Sequence, residues 1–91
     1  MSLIVKFSIY SFNPELTILL NIYEMCSCEI SVYNIKGQLI KNLFCDDLAA
    51  GERKLVWQGD NDNGRKVSSG VYFCKIKIGE YEEMKKVILM K

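Results

Sequence analysis

The chain has 91 residues, a formal net charge of +1, 49% hydrophobic residues and no histidine. A chain of this length forms one small domain, and its hydrophobic content excludes disorder of the whole chain. The near-neutral charge gives no electrostatic footprint for nucleic acid, so we expect no nucleic-acid partner. Without histidine, Ser–His, Cys–His and histidine-ligated metal sites are excluded, and we expect neither an enzyme nor a cofactor.

The first residues, 1–11, are open to three interpretations: residues added in cloning, a linker, or a first edge strand. The start, MSLIVKFSIY, is apolar like a signal peptide, but Lys6 and Ser8 interrupt the run and no small-residue cleavage site follows. No apolar segment reaches the length that crosses a bilayer. We therefore place the folded domain at residues 12–91.

Alternation of apolar and polar residues with a period of two predicts the strands that follow. It appears in chain order in LTILLNI, CEISVYNI, KLVWQ and GVYFCKIKI, with glycine-containing turns at Gly37, Gly51 and Gly79. Such alternation, rich in β-branched and aromatic residues, is typical of half-buried strands. Between them, LAAGERKL could form one helical turn, too short for a stable helix. About six or seven short strands at regular spacing predict an all-β antiparallel sandwich.

Four cysteines, Cys26, Cys28, Cys45 and Cys74, are many for a chain of this length. Their spacing matches neither a C-x-x-C redox motif nor the paired short spacings of a zinc ribbon. Buried cysteines commonly act as small hydrophobic side chains, and we favour that interpretation. One disulfide is the alternative, and the sequence does not choose among the possible pairings.

The stretch WQGDNDNGRKVSSGVYF places acids, amides and glycines between two strand patterns. The calcium loop of an EF-hand does not fit, because no frame places its glycine and its final glutamate together. A looser calcium site that uses Asp60 and Asp62 is a weak candidate. Asn63-Gly64 suits a left-handed turn, so the stretch is better explained as turn chemistry.

Trp57 shares a strand face with Leu55, which predicts that it lies in the core of the sandwich. The alternative is an exposed ring that stacks on a sugar. Other aromatic side chains are less clearly placed, and some of them could form a modest exposed patch: Tyr10, Phe12, Tyr33 and Tyr81.

Three segments taken in order carry a family resemblance: FNPELTI, ISVYNIKGQLIKNL and AAGERKLVWQGDNDNGRKVSSGVYFCKIKIGEYEEMKKVILMK. Together they resemble the type A C-terminal sorting domain of type IX secretion cargo. They are similar also to the immunoglobulin-like domain of the flagellar hook-capping protein. Each piece is ordinary strand or turn chemistry, and the ordered set from Phe12 to Lys91 is what is specific. The resemblance implies an immunoglobulin-like antiparallel sandwich of about seven strands.

The sorting-domain resemblance implies a non-catalytic address label at the C-terminal end of a larger secreted protein. Such a label passes through the periplasm, is bound by the outer-membrane type IX machinery and is removed by a sortase-like peptidase as the cargo reaches the cell surface. The positions that match the recognition motifs are Gly70, Tyr72, Lys85, Lys86 and Lys91. Because KKVILMK closes such proteins, the resemblance also implies that Lys91 is a natural C-terminus.

Two features depart from the family pattern: the proline-rich entry is shortened to YSFNP, and there are more cysteines than usual. A structural immunoglobulin-like module of a flagellar hook-capping or surface protein is the main alternative function. A carbohydrate- or calcium-binding module that uses Trp57 and the 60–63 turn is a third. The last segment has apolar residues on both faces, so we expect it to lie in the sandwich with an accessible end.

Overall fold

The computed structural model describes residues 5–12, 15–22 and 24–90, and the side chains of 16–22 and 24–90. All strand pairings in these residues are antiparallel, which confirms the predicted all-β sandwich. No helix in the described part of the chain is long and apolar enough to span a membrane. The described residues contain seven strands: β1 (Val5–Phe12), β2 (Glu15–Ile22), β3 (Cys26–Asn34), β4 (Leu39–Leu48), β5 (Gly51–Trp57), β6 (Gly70–Ile78) and β7 (Tyr81–Leu89).

The strands form two sheets, which we call the small sheet and the large sheet. The small sheet has the order β1-β2-β5, and the large sheet has the order β4-β3-β6-β7. β1 is therefore an edge strand, one of the three interpretations of the N-terminal residues. The helical turn considered for LAAGERKL is wrong, because β4 ends at Leu48 and β5 begins at Gly51. Its second half pairs with β2, and this pairing uses the backbone groups that a helix would need.

The hydrophobic core lies between the two sheets and follows the alternation seen in the sequence. Every second side chain of β2 is buried, β6 shows the same alternation, and β3 shows it except at Ser31, which is buried between Ile30 and Val32. β-branched side chains pack well on such pleated surfaces, and each fully buried one contributes roughly 1.5–3 kcal/mol. The strand residues of the core are Leu16, Ile18, Leu20, Ile22, Cys28, Ile30, Val32, Leu48, Trp57, Tyr72, Cys74, Ile76, Ile78, Val87 and Leu89.

β4 departs from simple alternation because its pairing with β3 shifts register twice. The shifts fall between Ile30 and Ser31 and between Val32 and Tyr33 of β3. Leu43 and Ile40 of β4 are the extra residues, so two residues of β4 oppose one of β3 at each point. This explains why residues 40–44 of β4 are all half-buried.

β7 lies at the edge of the large sheet and pairs with β6 along its whole length. Val87 and Leu89 point into the core, whereas Met84 and Ile88 are exposed on the outer face. The expectation that the last strand carries apolar residues on both faces is therefore confirmed. Lys91 lies outside the described residues.

Candidate functional site

Trp57 and Tyr72 fasten the segment that connects β5 to β6. Their rings meet edge to face, with centroids 5.3 Å apart and an interplanar angle of 71°. The Trp57 Nε1–H donates to the carbonyl oxygen of Asp60 at 2.8 Å, and the Tyr72 hydroxyl donates to that of Ser68 at 2.6 Å. Trp57 is only 1% exposed, so the core interpretation is confirmed and its ring offers no face on which a sugar could stack.

The turn between β3 and β4 is built on the side chain of Asn34. Its Oδ1 accepts hydrogen bonds from the backbone N–H groups of Lys36 and Gln38, both at 2.9 Å. Its backbone N–H donates to the carbonyl of Gln38, and its own carbonyl accepts from the N–H of Gly37. Gly37 has a φ of 80°, a left-handed conformation that favours glycine. An asparagine and a glycine three residues later thus close the turn.

The same turn occurs a second time, in NDNGR. Asn61 Oδ1 accepts from the backbone N–H groups of Asn63 and Arg65, at 2.9 and 3.0 Å. The two backbone bonds of the first turn also recur, and Gly64 has a φ of 81°. The predicted left-handed turn is therefore correct for Gly64 but wrong for Asn63, because no non-glycine residue in the described ranges has a positive φ. The asparagine that organises this turn is Asn61.

The acidic part of this loop, residues 60–62, is attached to the outer edge of β4. We call this attachment the brace. Lys41 Nζ and Asp60 Oδ2 form an ion pair at 3.1 Å. The backbone N–H of Asn42 donates to Asp62 Oδ1 at 3.1 Å, and the N–H of Asp62 donates to the carbonyl of Ile40 at 3.0 Å. An edge strand otherwise presents unpaired backbone groups. The loop therefore acts as a short substitute strand along this part of β4.

Asp60 and Asp62, the weak calcium candidates, both take part in this brace. One carboxylate holds an ammonium group and the other accepts a backbone hydrogen bond. Within the described ranges, no group of three or more His, Cys, Asp or Glu side chains is arranged to hold a metal ion. The role that the structure assigns to these two acids is attachment of the loop to the sheet.

The recognition residues taken from the resemblance lie in different places. Gly70 begins β6, and Tyr72 is buried in the core. Lys85 forms an ion pair with Glu83 at 3.8 Å, whereas Lys86 lies on the outer face of the large sheet, opposite Phe73. The four of these residues that the structure describes do not come together into one site. Their role in recognition stays a prediction, with Lys85 and Lys86 the two whose described side chains are well exposed.

The four cysteines are free thiols in three different environments. Cys28 and Cys74 are buried in the core, which confirms for these two the interpretation as small hydrophobic side chains. Burial raises the pKa of Cys28 to about 11, with smaller contributions from Cys26 and Cys45, and raises that of Cys74 to about 12. Cys26 is half-buried, and its pKa is raised by burial and then by Asp47 and Glu24. Cys45 is exposed and does not follow the predicted burial.

A groove of about 450 Å³, which we call the outer groove, opens on the solvent side of the large sheet. Tyr33, Phe73 and Met84 form its floor and one side, and the turn that carries Ile35 forms the other. A second depression of about 430 Å³ continues past Ile35 to the residues before β6. The residues that line the outer groove are Tyr33, Asn34, Ile35, Gly37, Phe73, Lys75 and Met84.

Sequence reasoning found this surface only in part. Tyr33 was among the candidates for an exposed aromatic patch, but Tyr81 lies elsewhere, and the side chains of Tyr10 and Phe12 are outside the described residues. Ile35 and Met84 were missed. For Met84 the available signal was an apolar residue on the strand face that points away from the core, and for Ile35 it was an apolar residue inside a turn.

Comparison with known proteins finds one matching family and solved structures with a similar fold. The model of the FlgD Ig-like domain family matches residues 24–80. The dimeric latent PorU from Porphyromonas gingivalis has a similar structure over 100% of this chain and 10% of its own, with a TM-score of 0.72 and 12% identity. FlgD from P. aeruginosa is similar over 91% of this chain and 65% of its own, with a TM-score of 0.58 and 20% identity.

At these identities the two structures show a shared fold and no more. The chain spans about a tenth of the PorU chain and less than two thirds of the FlgD chain. No curated protein gave a match. Because the family match covers more than half of its residues, the chain belongs to the FlgD Ig-like domain family.

Proposed function

We propose that this chain is a non-catalytic C-terminal sorting domain that directs a larger secreted protein through the type IX machinery to the cell surface. The observation that carries the proposal is the ordered set of sorting-domain motifs along residues 12–91. These motifs lie at the connections between strands: VYNIKG at the first asparagine turn, WQGDNDNG at the brace, and SSGVYF at the start of β6. The similarity to a tenth of a much longer chain also supports a module within a larger protein.

The non-catalytic part of the proposal rests on the side-chain inventory. The sequence has no histidine to act as a base. Cys28 and Cys74, whose pKa values are raised by burial, hold protonated thiols that are poor nucleophiles. The partners in this proposal are the outer-membrane machinery, which binds the folded domain, and a sortase-like peptidase, which separates it from the cargo.

A structural immunoglobulin-like module of a hook-capping or surface protein is the second candidate, and the observation in its support is the family match. A carbohydrate- or calcium-binding module has less support. Trp57, the residue that it would use for a sugar, is buried, and Asp60 already holds the Lys41 ammonium group.

The decisive experiment joins the whole 91-residue chain, which keeps β1 in the small sheet, to a reporter that carries a signal peptide, in a bacterium with type IX secretion. We expect the reporter on the cell surface, accessible to added protease, and retained in the periplasm of an isogenic strain that lacks the outer-membrane machinery. Periplasmic retention in both strains would reject the sorting role and favour the structural module.

A terminal deletion is a poor control for this experiment. Removing residues 87–91 also removes the buried side chains of Val87 and Leu89, so that misfolding alone could stop delivery. Substituting Lys85 and Lys86 by glutamine leaves the core untouched, because both side chains are exposed. Loss of delivery in that variant, with unchanged thermal stability, would assign the terminal lysines a role in recognition.

A further inference from the structure

The outer groove exposes large apolar side chains that the fold itself does not need. Ile35 is 71% exposed and Met84 is 54% exposed, on either side of the groove. Tyr33 and Phe73 are directly paired between β3 and β6 and form the floor. Contiguous apolar surface of this kind, framed by polar residues, marks interaction sites on small domains. The core on the other side of the sheet is complete without it.

The turn that presents Ile35 is held rigidly. Asn34 accepts two hydrogen bonds through Oδ1 and donates a third through Nδ2 to the side chain of Gln38 at 2.8 Å. Backbone bonds close the turn from both directions. The backbone of the turn that carries Ile35 is therefore ordered before any partner arrives, which reduces the entropic cost of ordering this loop in a complex. The wall of the groove is pre-organised for binding.

Two lysines beside the outer groove carry positive charge that no ion pair within the described residues neutralises. No carboxylate lines the outer groove or its continuation towards β6. Lys75 lines the groove, and its ammonium group is paired with Glu82 at 3.0 Å. Lys36, at the tip of the asparagine turn, and Lys86, opposite Phe73, make no ion pair with any described residue. A partner that covers the groove gains most if it brings acidic side chains to these two lysines.

We infer that the outer groove binds a segment of a partner protein that presents apolar side chains flanked by aspartate or glutamate. The inference deepens the proposed function, because it names the face by which the sorting domain is recognised. In that respect it rests on the proposed function. A second copy of this chain fits less well. Two such faces would bring the unpaired Lys36 and Lys86 of each copy towards like charges.

The first test selects peptides from a random display library on the purified 91-residue chain. We expect enrichment of sequences that combine aromatic or aliphatic residues with aspartate or glutamate. The double variant Ile35→Ser/Lys86→Glu should weaken the best peptide at least about tenfold, because a buried aliphatic contact and a charge pair are both lost. Its control, Val56→Ser/Lys54→Glu, makes equivalent aliphatic-to-serine and lysine-to-glutamate changes at exposed positions of β5 and should bind as the wild type does.

The outcomes of this test separate the alternatives. Enrichment of basic peptides, no enrichment, or equal binding by both double variants would overturn the inference. Sedimentation of the chain measures in addition whether it associates with itself. Self-association that Ile35→Ser/Lys86→Glu abolishes would make a second copy the occupant and would also overturn it.

The second test places both double variants in the secreted reporter. If the wild-type reporter reaches the surface and the groove variant does not, while the β5 control does, the groove is the recognised face. Delivery of all three reporters would overturn the inference that the outer groove is the recognised face and would leave the proposed sorting function intact. Retention of the wild type would reject the sorting function, and the peptide selection would then decide the groove by itself.

Discussion

The rings of Trp57 and Tyr72 meet edge to face at 5.3 Å and join β5 of the small sheet to β6 of the large sheet. Each residue also donates a hydrogen bond to a backbone carbonyl of the segment between them, at Asp60 and Ser68. One aromatic pair thus packs the core and anchors both ends of the loop that braces β4. Stability of the core and placement of the loop are coupled through these two residues.

Replacing Trp57 by phenylalanine should lower the free energy of unfolding by about 1–3 kcal/mol. The variant keeps an aromatic ring but loses the hydrogen bond to Asp60 and leaves unfilled volume in a closely packed core. Urea unfolding followed by circular dichroism measures the change. Val56→Ala, one residue earlier and exposed, should stay within about 0.5 kcal/mol of the wild type. An equal effect at both positions would contradict the anchoring role.

The two asparagine turns should respond alike to substitution, because Oδ1 accepts the same two backbone hydrogen bonds in each. Asn34→Ala and Asn61→Ala each remove an acceptor of two backbone bonds and should cost about 0.5–2 kcal/mol of stability. Asn61→Asp retains the acceptor oxygen and should cost clearly less than the alanine variant. Thermal unfolding of the four proteins, wild type included, tests this. An alanine variant at either position that is as stable as the wild type would refute the equivalence.

Asp62 should protect the edge of β4 from hydrogen exchange. Asp62→Ala removes the acceptor of the Asn42 backbone N–H, so this amide should exchange at least about tenfold faster, as expected for the loss of about 1.4 kcal/mol of local protection. Exchange measured by NMR reports the residue directly. Asp62→Asn keeps Oδ1 as an acceptor and serves as the control. If both variants exchange at the wild-type rate, the brace does not cover this strand.

Stability should fall at alkaline pH because of the buried thiols. Burial raises the pKa of Cys74 from its ordinary value of 9.0 to about 12, and that of Cys28 to about 11. Above the ordinary pKa, the unfolded chain has lost protons that the folded chain keeps, so the free energy of unfolding decreases as the pH rises. The loss approaches roughly 1.4 kcal/mol per pH unit for each thiol until the folded pKa is reached.

Chemical unfolding at a series of alkaline pH values measures this slope. Cys74→Ala lowers stability at every pH through the cavity it leaves, but it removes one titrating thiol, so its slope should be shallower. Cys45→Ala provides the matched control, because that thiol is exposed. A slope that is the same in Cys74→Ala as in the wild type would contradict the prediction.

The sequence by itself determined most of the strands, the sandwich and most of the core. Alternation is a local property, so LTILLNI and GVYFCKIKI indicate which of their side chains point inward without knowledge of their partners. Trp57 could be placed in the core because it shares a face with Leu55. The left-handed position of Gly64 was equally visible, since turn chemistry depends on neighbours a few residues away.

Only the tertiary structure decided what depends on distant residues. The bulges of β4 arise from its pairing with β3, and the brace joins Asp60 and Asp62 to residues some twenty positions earlier. The same holds for the outer groove, which forms where the turn at Ile35 stands beside β6 and β7. Adjacent lysines, Lys85 and Lys86, face opposite sides of one strand, so a motif that is contiguous in sequence is divided in space. Strand order and register are set by packing between segments, and local periodicity does not contain them.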